Sequence, residues 1–167
     1  MEPFTSIGLL TAQLRQLPLP ALVAVEGFMS SGKSTMANAL ASQLGGVAIH
    51  TDEYVLPEDE SLPYAQRLNY GALASSVAQA TCAMQVVVLE GICLREVLRL
   101  SSLSAGVFVY VKRIAANGLW HDGFHLEDFE SSVEQARDEP EHSDLMYHAT
   151  ARPHENADFT FHRIEPA

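Results

Sequence analysis

One stretch near the start of the chain, Val23 to Thr35, reads VAVEGFMSSGKST, and it restricts the fold more than any other. An apolar run rich in valine ends at Glu26, glycines stand at 27 and 32, and Lys33, Ser34 and Thr35 open a segment of helix-forming residues. Gly27 to Ser34 satisfies G-x-x-x-x-G-K-[ST] at every position. That pattern needs a buried strand before it and a helix after it, and both are predicted here. Its glycines permit turns that a Cβ would block. Successive N–H groups then point inward as an anion-binding nest, and the following helix adds the positive end of its dipole. The candidate phosphate cradle is therefore Gly27, Phe28, Met29, Ser30 and Ser31, continued by Gly32, Lys33, Ser34 and Thr35. Lys33 is placed to reach the β- and γ-phosphates of a nucleotide, and Ser34 to ligate Mg2+.

The remaining pattern supports the same architecture. Phe4, Ile7, Leu10, Leu14 and Leu17 recur at helical spacing, with Thr5 or Ser6 as cap and Pro18 and Pro20 as stop, so residues 1–19 are expected to hold an N-terminal helix. ALVAVE, VAIHT, VVVLE, GVFVYVK and ADFTFHR read as five strands. Helices are expected over Ser34–Leu44 (ended by Gly45-Gly46), Tyr70–Met84, ICLREVLRL, and near 124–137 and 141–150. DEYVLPEDESLPYAQ is polar and broken by proline, hence a loop. Strands that are apolar throughout and alternate with helices define an α/β fold, a five-stranded parallel sheet flanked by helices on both faces. With 167 residues and no dividing linker, one domain over 1–167 is expected. Ligands of such sheets bind at the carboxyl ends of the strands, where the glycine loop, Asp52 and Glu90 fall.

Composition narrows the partners. The formal net charge is −11, and a chain this acidic repels nucleic acid and anionic membrane. A small phosphate ligand held by local geometry and magnesium is not excluded by it. The first twenty residues lack a basic start, and no window approaches the ~18 apolar residues that span a bilayer. Cys82 and Cys93 form no Cys-x-x-Cys pair and sit in apolar contexts, so they read as reduced core thiols of a cytoplasmic protein. Monomer and homodimer are both left open.

A phosphate loop alone does not separate kinases from other nucleotide-binding proteins. No Asn-Lys-x-Asp guanine reader occurs, HDGF does not supply a GTPase switch, and the Ser-Gly-Gly signature of an ABC-type ATPase is missing. Acids at the ends of the second and third strands suit a small-molecule kinase better. Asp52 can accept or orient the proton of an attacking hydroxyl. Glu90, ending a buried strand, is costly unless it faces a cation, and holding Mg2+ removes that cost. Glu26 either faces the same site or leaves the sheet.

GFMSSGKST, HTDEYV, RLNYGAL, VVVLEGI, VFVYVKR and ATARPHENADFTF occur in an order and spacing that resembles the uridine kinase-like nucleoside and small-molecule kinases. The resemblance spans roughly residues 20–165. It implies Asp52 as catalytic base, Glu90 as a magnesium-site acid, an acceptor held near Tyr54, Arg67, Asn69 and Tyr70, and Arg113 at a lid over about 113–125. Members of that family close the site with an arginine-rich lid, whereas VKRIAANGLWHDGFH has no arginine after Arg113. Arg152 is a candidate for the missing charge or for a contact to the nucleotide base. Trp120 either clamps an adenine or covers the sheet edge. His121 and His125, spaced i, i+4, lack an evident third metal ligand. Locally, Arg67 offers a planar donor fork and Asn69 a donor and acceptor for sugar hydroxyls, but they equally suit a surface ion pair and a helix cap. Tyr54 and Tyr70 suit either base stacking or the core. The acidic loop around Glu58, Asp59 and Glu60 favours a neutral or cationic acceptor over one already phosphorylated. The expected function is ATP- and Mg2+-dependent phosphoryl transfer to a hydroxyl of a small molecule such as a nucleoside. The alternatives are a kinase of another metabolite (sugar acid, shikimate-like alcohol, antibiotic) and a nucleotide-binding regulatory protein without transfer.

Overall fold

A computed structural model of the chain describes residues 2–57, 61–131 and 138–166. Five strands, β1 (Ala21–Glu26), β2 (Val47–His50), β3 (Val86–Glu90), β4 (Val107–Ile114) and β5 (Phe159–Ile164), pair in parallel in the order β2-β3-β1-β4-β5. The helices are α1 (Ile7–Leu14), α2 (Lys33–Leu44), α3 (Tyr70–Met84), α4 (Leu94–Leu100), α5 (Gly123–Ser131), α6 (Glu141–Ala151) and α7 (Pro153–Asn156). β1 lies at the centre and is covered on both sides. Ala24 packs in the core with Leu73 and Val77 of α3 and Leu94 and Val97 of α4. Val23 and Val25 pack with Leu10 and Leu14 of α1 and Met36 and Leu40 of α2. A strand buried on both faces has no polar side to show, which is why ALVAVE and VVVLE read as unbroken apolar runs.

The chain leaves β1 toward β2 on one side and later reaches β4 on the other, so the strand order reverses around β1. Val25 stands opposite Glu90 in the β1–β3 register, which sets the loop after β1 beside the loop after β3. A crevice at that point is where an open parallel sheet takes its ligands.

Several expected elements differ in extent. α1 starts only at Ile7, and Ser6 makes no side-chain cap bond. The chain before it is extended: Phe4 N–H donates to Thr160 O at 2.8 Å and His162 N–H to Phe4 O at 2.8 Å. β2 stops at His50 because Thr51–Tyr54 close into a short 3-10 turn. α4 starts at Leu94 rather than Ile92, since Cys93 sits at φ 50, in the left-handed region. Cys93 is buried but Cys82 is exposed on α3, so the expectation of two core thiols is corrected for Cys82. The helix expected near 124–137 is α5 as far as Ser131, and its second half, like Glu58, Asp59 and Glu60, lies outside the described residues. Among the described residues no helix is long and apolar enough to cross a membrane.

Candidate active site

The loop between β1 and α2 turns through two left-handed residues, Ser30 at φ 63 and Gly32 at φ 96. A Cβ at Gly32 would also lie 2.7 Å from Nη1 of Arg163, so that side chain would have to shift. Two loop amides are used internally. Ser31 N–H donates to Phe28 O at 3.1 Å, and Met29 N–H donates to Asp144 Oδ2 at 2.8 Å. The N–H groups of Ser30, Gly32, Lys33 and Ser34 have no intrachain acceptor among the described residues. The last two of these are orphan donors at the N-terminus of α2. Lys33 is buried, its Nζ donating to Phe28 O at 3.3 Å, so the ammonium lies against the loop it serves. Ser34 and Thr35 are exposed.

The first half of the loop is anchored from α6. Phe28 stacks on His148 with ring centroids 3.6 Å apart and planes within 12°, while Asp144 holds the next amide. Neither contact was legible in the sequence, since 115 residues separate Met29 from Asp144.

Across the crevice, Asp52 is exposed at the start of the turn after β2. Tyr64 O–H donates to Asp52 Oδ1 at 2.7 Å and therefore accepts from Thr51 Oγ1, also 2.7 Å away. Burial, followed by the charge of Asp52, pushes the Tyr64 phenol pKa far up, which keeps it a donor. Thr51 can stand there because residue 91 is glycine: a Cβ at Gly91 would be 1.9 Å from Thr51 Oγ1. Glu90 is buried, with Oε1 2.7 Å from His50 Nδ1 and Oε2 buried without a partner. Its partner among the described residues is His50.

Lys33, Ser34, Asp52, Tyr64, Arg67 and Ile92 line one cavity of about 370 Å3, within the size range of small-ligand sites. Arg67 is the one of the four expected acceptor residues that lines it. Its main chain is pinned, N–H to Tyr64 O at 3.1 Å and O from Leu56 N–H at 2.7 Å, and its Nε is buried without an acceptor. Leaving such a donor unpaired costs about 1–3 kcal/mol. Asn69 instead caps α3, its Oδ1 accepting from Ala72 N–H at 3.0 Å. Tyr54 packs against the core. Tyr70 O–H donates to Ala65 O, and burial pushes its phenol up to about 12.

Arg113, Arg152 and Lys112 are engaged among the described residues. Arg113 Nε pairs with Glu165 at 3.1 Å and its Nη2 contacts the His121 ring. Arg152 pairs with Glu155 at 3.0 Å and Glu130 at 3.3 Å. Lys112 Nζ lies 4.3 Å over the Trp120 ring, which also packs on Phe28, Tyr110 and His154. The expected lid stretch is a tight turn, Ala115 N–H to Leu119 O at 2.9 Å, closed by an Ile114–Trp120 bridge. His121 and His125 have ring centroids 6.4 Å apart, and the described residues hold no cluster of three or more metal-ligating His, Cys, Asp or Glu side chains. Glu26 turns away from the loop, accepting from Arg95 Nη2 at 2.9 Å and from Tyr147 O–H at 2.6 Å.

No protein-family model matches the chain, and no curated protein does. Among solved structures, a possible uridine kinase from Bacillus stearothermophilus superposes with a TM-score of 0.58 at 16% identity, over 93% of this chain and 96% of that one. A sugar kinase from Janibacter sp. HTCC2649 aligns with a TM-score of 0.47 at 18% identity, over 87% of this chain and 84% of that one. At such identities the likeness is one of fold: the chain has a uridine kinase-like α/β fold, a five-stranded parallel sheet flanked by helices.

Proposed function

We propose that the protein is a phosphotransferase that moves the γ-phosphoryl group of ATP, with Mg2+, to a hydroxyl of a small molecule. The observation that carries this reading is the cup of acceptor-free amides at Ser30, Gly32, Lys33 and Ser34, which opens on the same cavity as Asp52. Amides at the head of a helix suit a triphosphate tail, and that Lys33 lies against the loop fits the same ligand. The residues also fit the metal: Ser34 offers an exposed hydroxyl, and Glu90 keeps an oxygen buried and unpartnered, a group that a cation or its water would satisfy. Bound magnesium would neutralise charge on the phosphates.

Asp52 takes the proton of the acceptor hydroxyl as that oxygen bonds to the γ-phosphorus, and the bond to the β-phosphate oxygen breaks to release ADP. Tyr64 holds the carboxylate for this, and Lys33 balances the negative charge on the transferring group. Likeness in fold to a possible uridine kinase agrees with the assignment. A second reading, nucleotide binding without transfer, is favoured by one observation: Arg113 and Arg152 are both spent in intramolecular ion pairs. The two separate on titration with Mg–ATP followed by turnover assays. A kinase binds nucleotide and loses at least ~10²-fold in kcat on Asp52→Asn with nucleotide affinity retained. Absence of heat with millimolar Mg–ATP overturns both readings.

A further inference from the structure

Arg67 stands apart from the other arginines among the described residues. Arg95, Arg99, Arg113, Arg152 and Arg163 each pair with a carboxylate, and Arg15 donates to Gln43 O. Arg67 makes no side-chain hydrogen bond or ion pair among the described residues, although Asp52 lines the same cavity. Its main chain is fixed on both sides, through Tyr64 O and Leu56 N–H, and an antiparallel bridge joins the neighbouring Leu68 to Val55. A guanidinium on a pinned stretch of backbone in a ligand-sized cavity, with its Nε buried and unsatisfied, has no oxyanion partner among the described residues.

We infer that the acceptor is a hydroxylated molecule bearing an oxyanion, a carboxylate or a phosphate ester, and that Arg67 binds that group. This rests on the phosphoryl-transfer reading. Arg67 is joined through its main chain to Tyr64, which in turn holds Asp52, so we place the oxyanion on the acceptor rather than on the nucleotide. The acceptor then spans the cavity, its charged end on Arg67 and its hydroxyl at Asp52. This reverses the expectation of a neutral or cationic acceptor, which rested on Glu58, Asp59 and Glu60.

The test uses the full chain saturated with Mg2+ and the non-hydrolysable adenylyl imidodiphosphate. Stabilisation by that nucleotide reads the phosphotransferase proposal. Glycerate, glycerol 3-phosphate and glycerol are then added at constant ionic strength and thermal unfolding is followed. The expected result is stabilisation by glycerate or glycerol 3-phosphate and none by glycerol, the two anions telling carboxylate from phosphate ester. Arg67→Gln should weaken the anion response at least tenfold, leave the nucleotide dissociation constant unchanged and not lower the unliganded melting temperature. Arg67→Lys, keeping the charge but not the fork, should retain part of it. If the nucleotide does not bind, the anion titration is run on Lys33→Ala without nucleotide, so that Arg67 is still read. Equal responses to glycerol and the anions, no response to either anion, or an Arg67→Gln variant whose loss is in nucleotide affinity would each overturn the inference.

Discussion

Tyr64 orients Asp52 with one hydrogen bond and is itself fixed by Thr51. Tyr64→Phe keeps the ring in the core and removes only the oxygen. We expect a loss of about 1 kcal/mol in stability by urea denaturation. A fall of roughly 10- to 100-fold in kcat should accompany it, with nucleotide affinity intact, because the carboxylate is no longer held in line. Gly32→Ala should be more damaging, since a Cβ would enter a left-handed backbone and meet Arg163. Nucleotide titration should show at least ~10-fold weaker binding, the amide cup being distorted. Gly32, Lys33 and Asp52 were legible in the sequence as candidates because each follows a strand within a few residues, and local pattern governs such positions. Tyr64, Asp144 and His148 were not. They reach the site from a proline-broken loop and from a helix far along the chain, and no spacing rule links such residues to a loop after β1. Asn69 was legible only as a pair of alternatives, and the helix-capping one is the geometry found.

At the scale of elements, α4 and α6 are tied to β1 through Glu26, which accepts from Arg95 and Tyr147 beneath the core. Arg95 also lies 4.1 Å over the Phe108 ring. Arg95→Ala would leave a buried carboxylate without its cation, a loss of about 3 kcal/mol at neutral pH. Burial already raises the Glu26 pKa against the lowering by Tyr147 and Arg95. A raised carboxyl pKa favours the folded state when the group is protonated. Its contribution is full below the unfolded value of 4.5 and is lost as pH rises through the folded value. The Arg95→Ala deficit should therefore shrink as pH falls toward 4.5, which urea midpoints at several pH values would reveal. The strands themselves were legible because burial on both faces writes an apolar run into the sequence. The ends of α1 and α4 were not: Phe4 is recruited by β5, and Cys93 takes a conformation that side chains rarely adopt.

For the whole molecule, acid sensitivity is set in part by His154. Burial first, then Lys112, pulls its pKa down from 6.5 to about 4. The neutral ring is the form that fits, so its contribution is complete above pH 6.5 and disappears as pH drops toward 4. His154→Gln, which takes up no proton, should lose less stability than the parent across that window, as thermal unfolding would show. The parallel sheet was readable in the sequence, but the order β2-β3-β1-β4-β5 was not, because pairing between distant strands leaves no local mark. That order has a bearing on synthesis. The glycine loop is translated early, yet the contacts that brace it from Asp144 and His148 come from α6, far along the chain. A nascent chain still on the ribosome would carry the motif before α6 could brace it, and proteolytic loss of the chain from α6 onward would leave every motif residue in place on an unbraced loop.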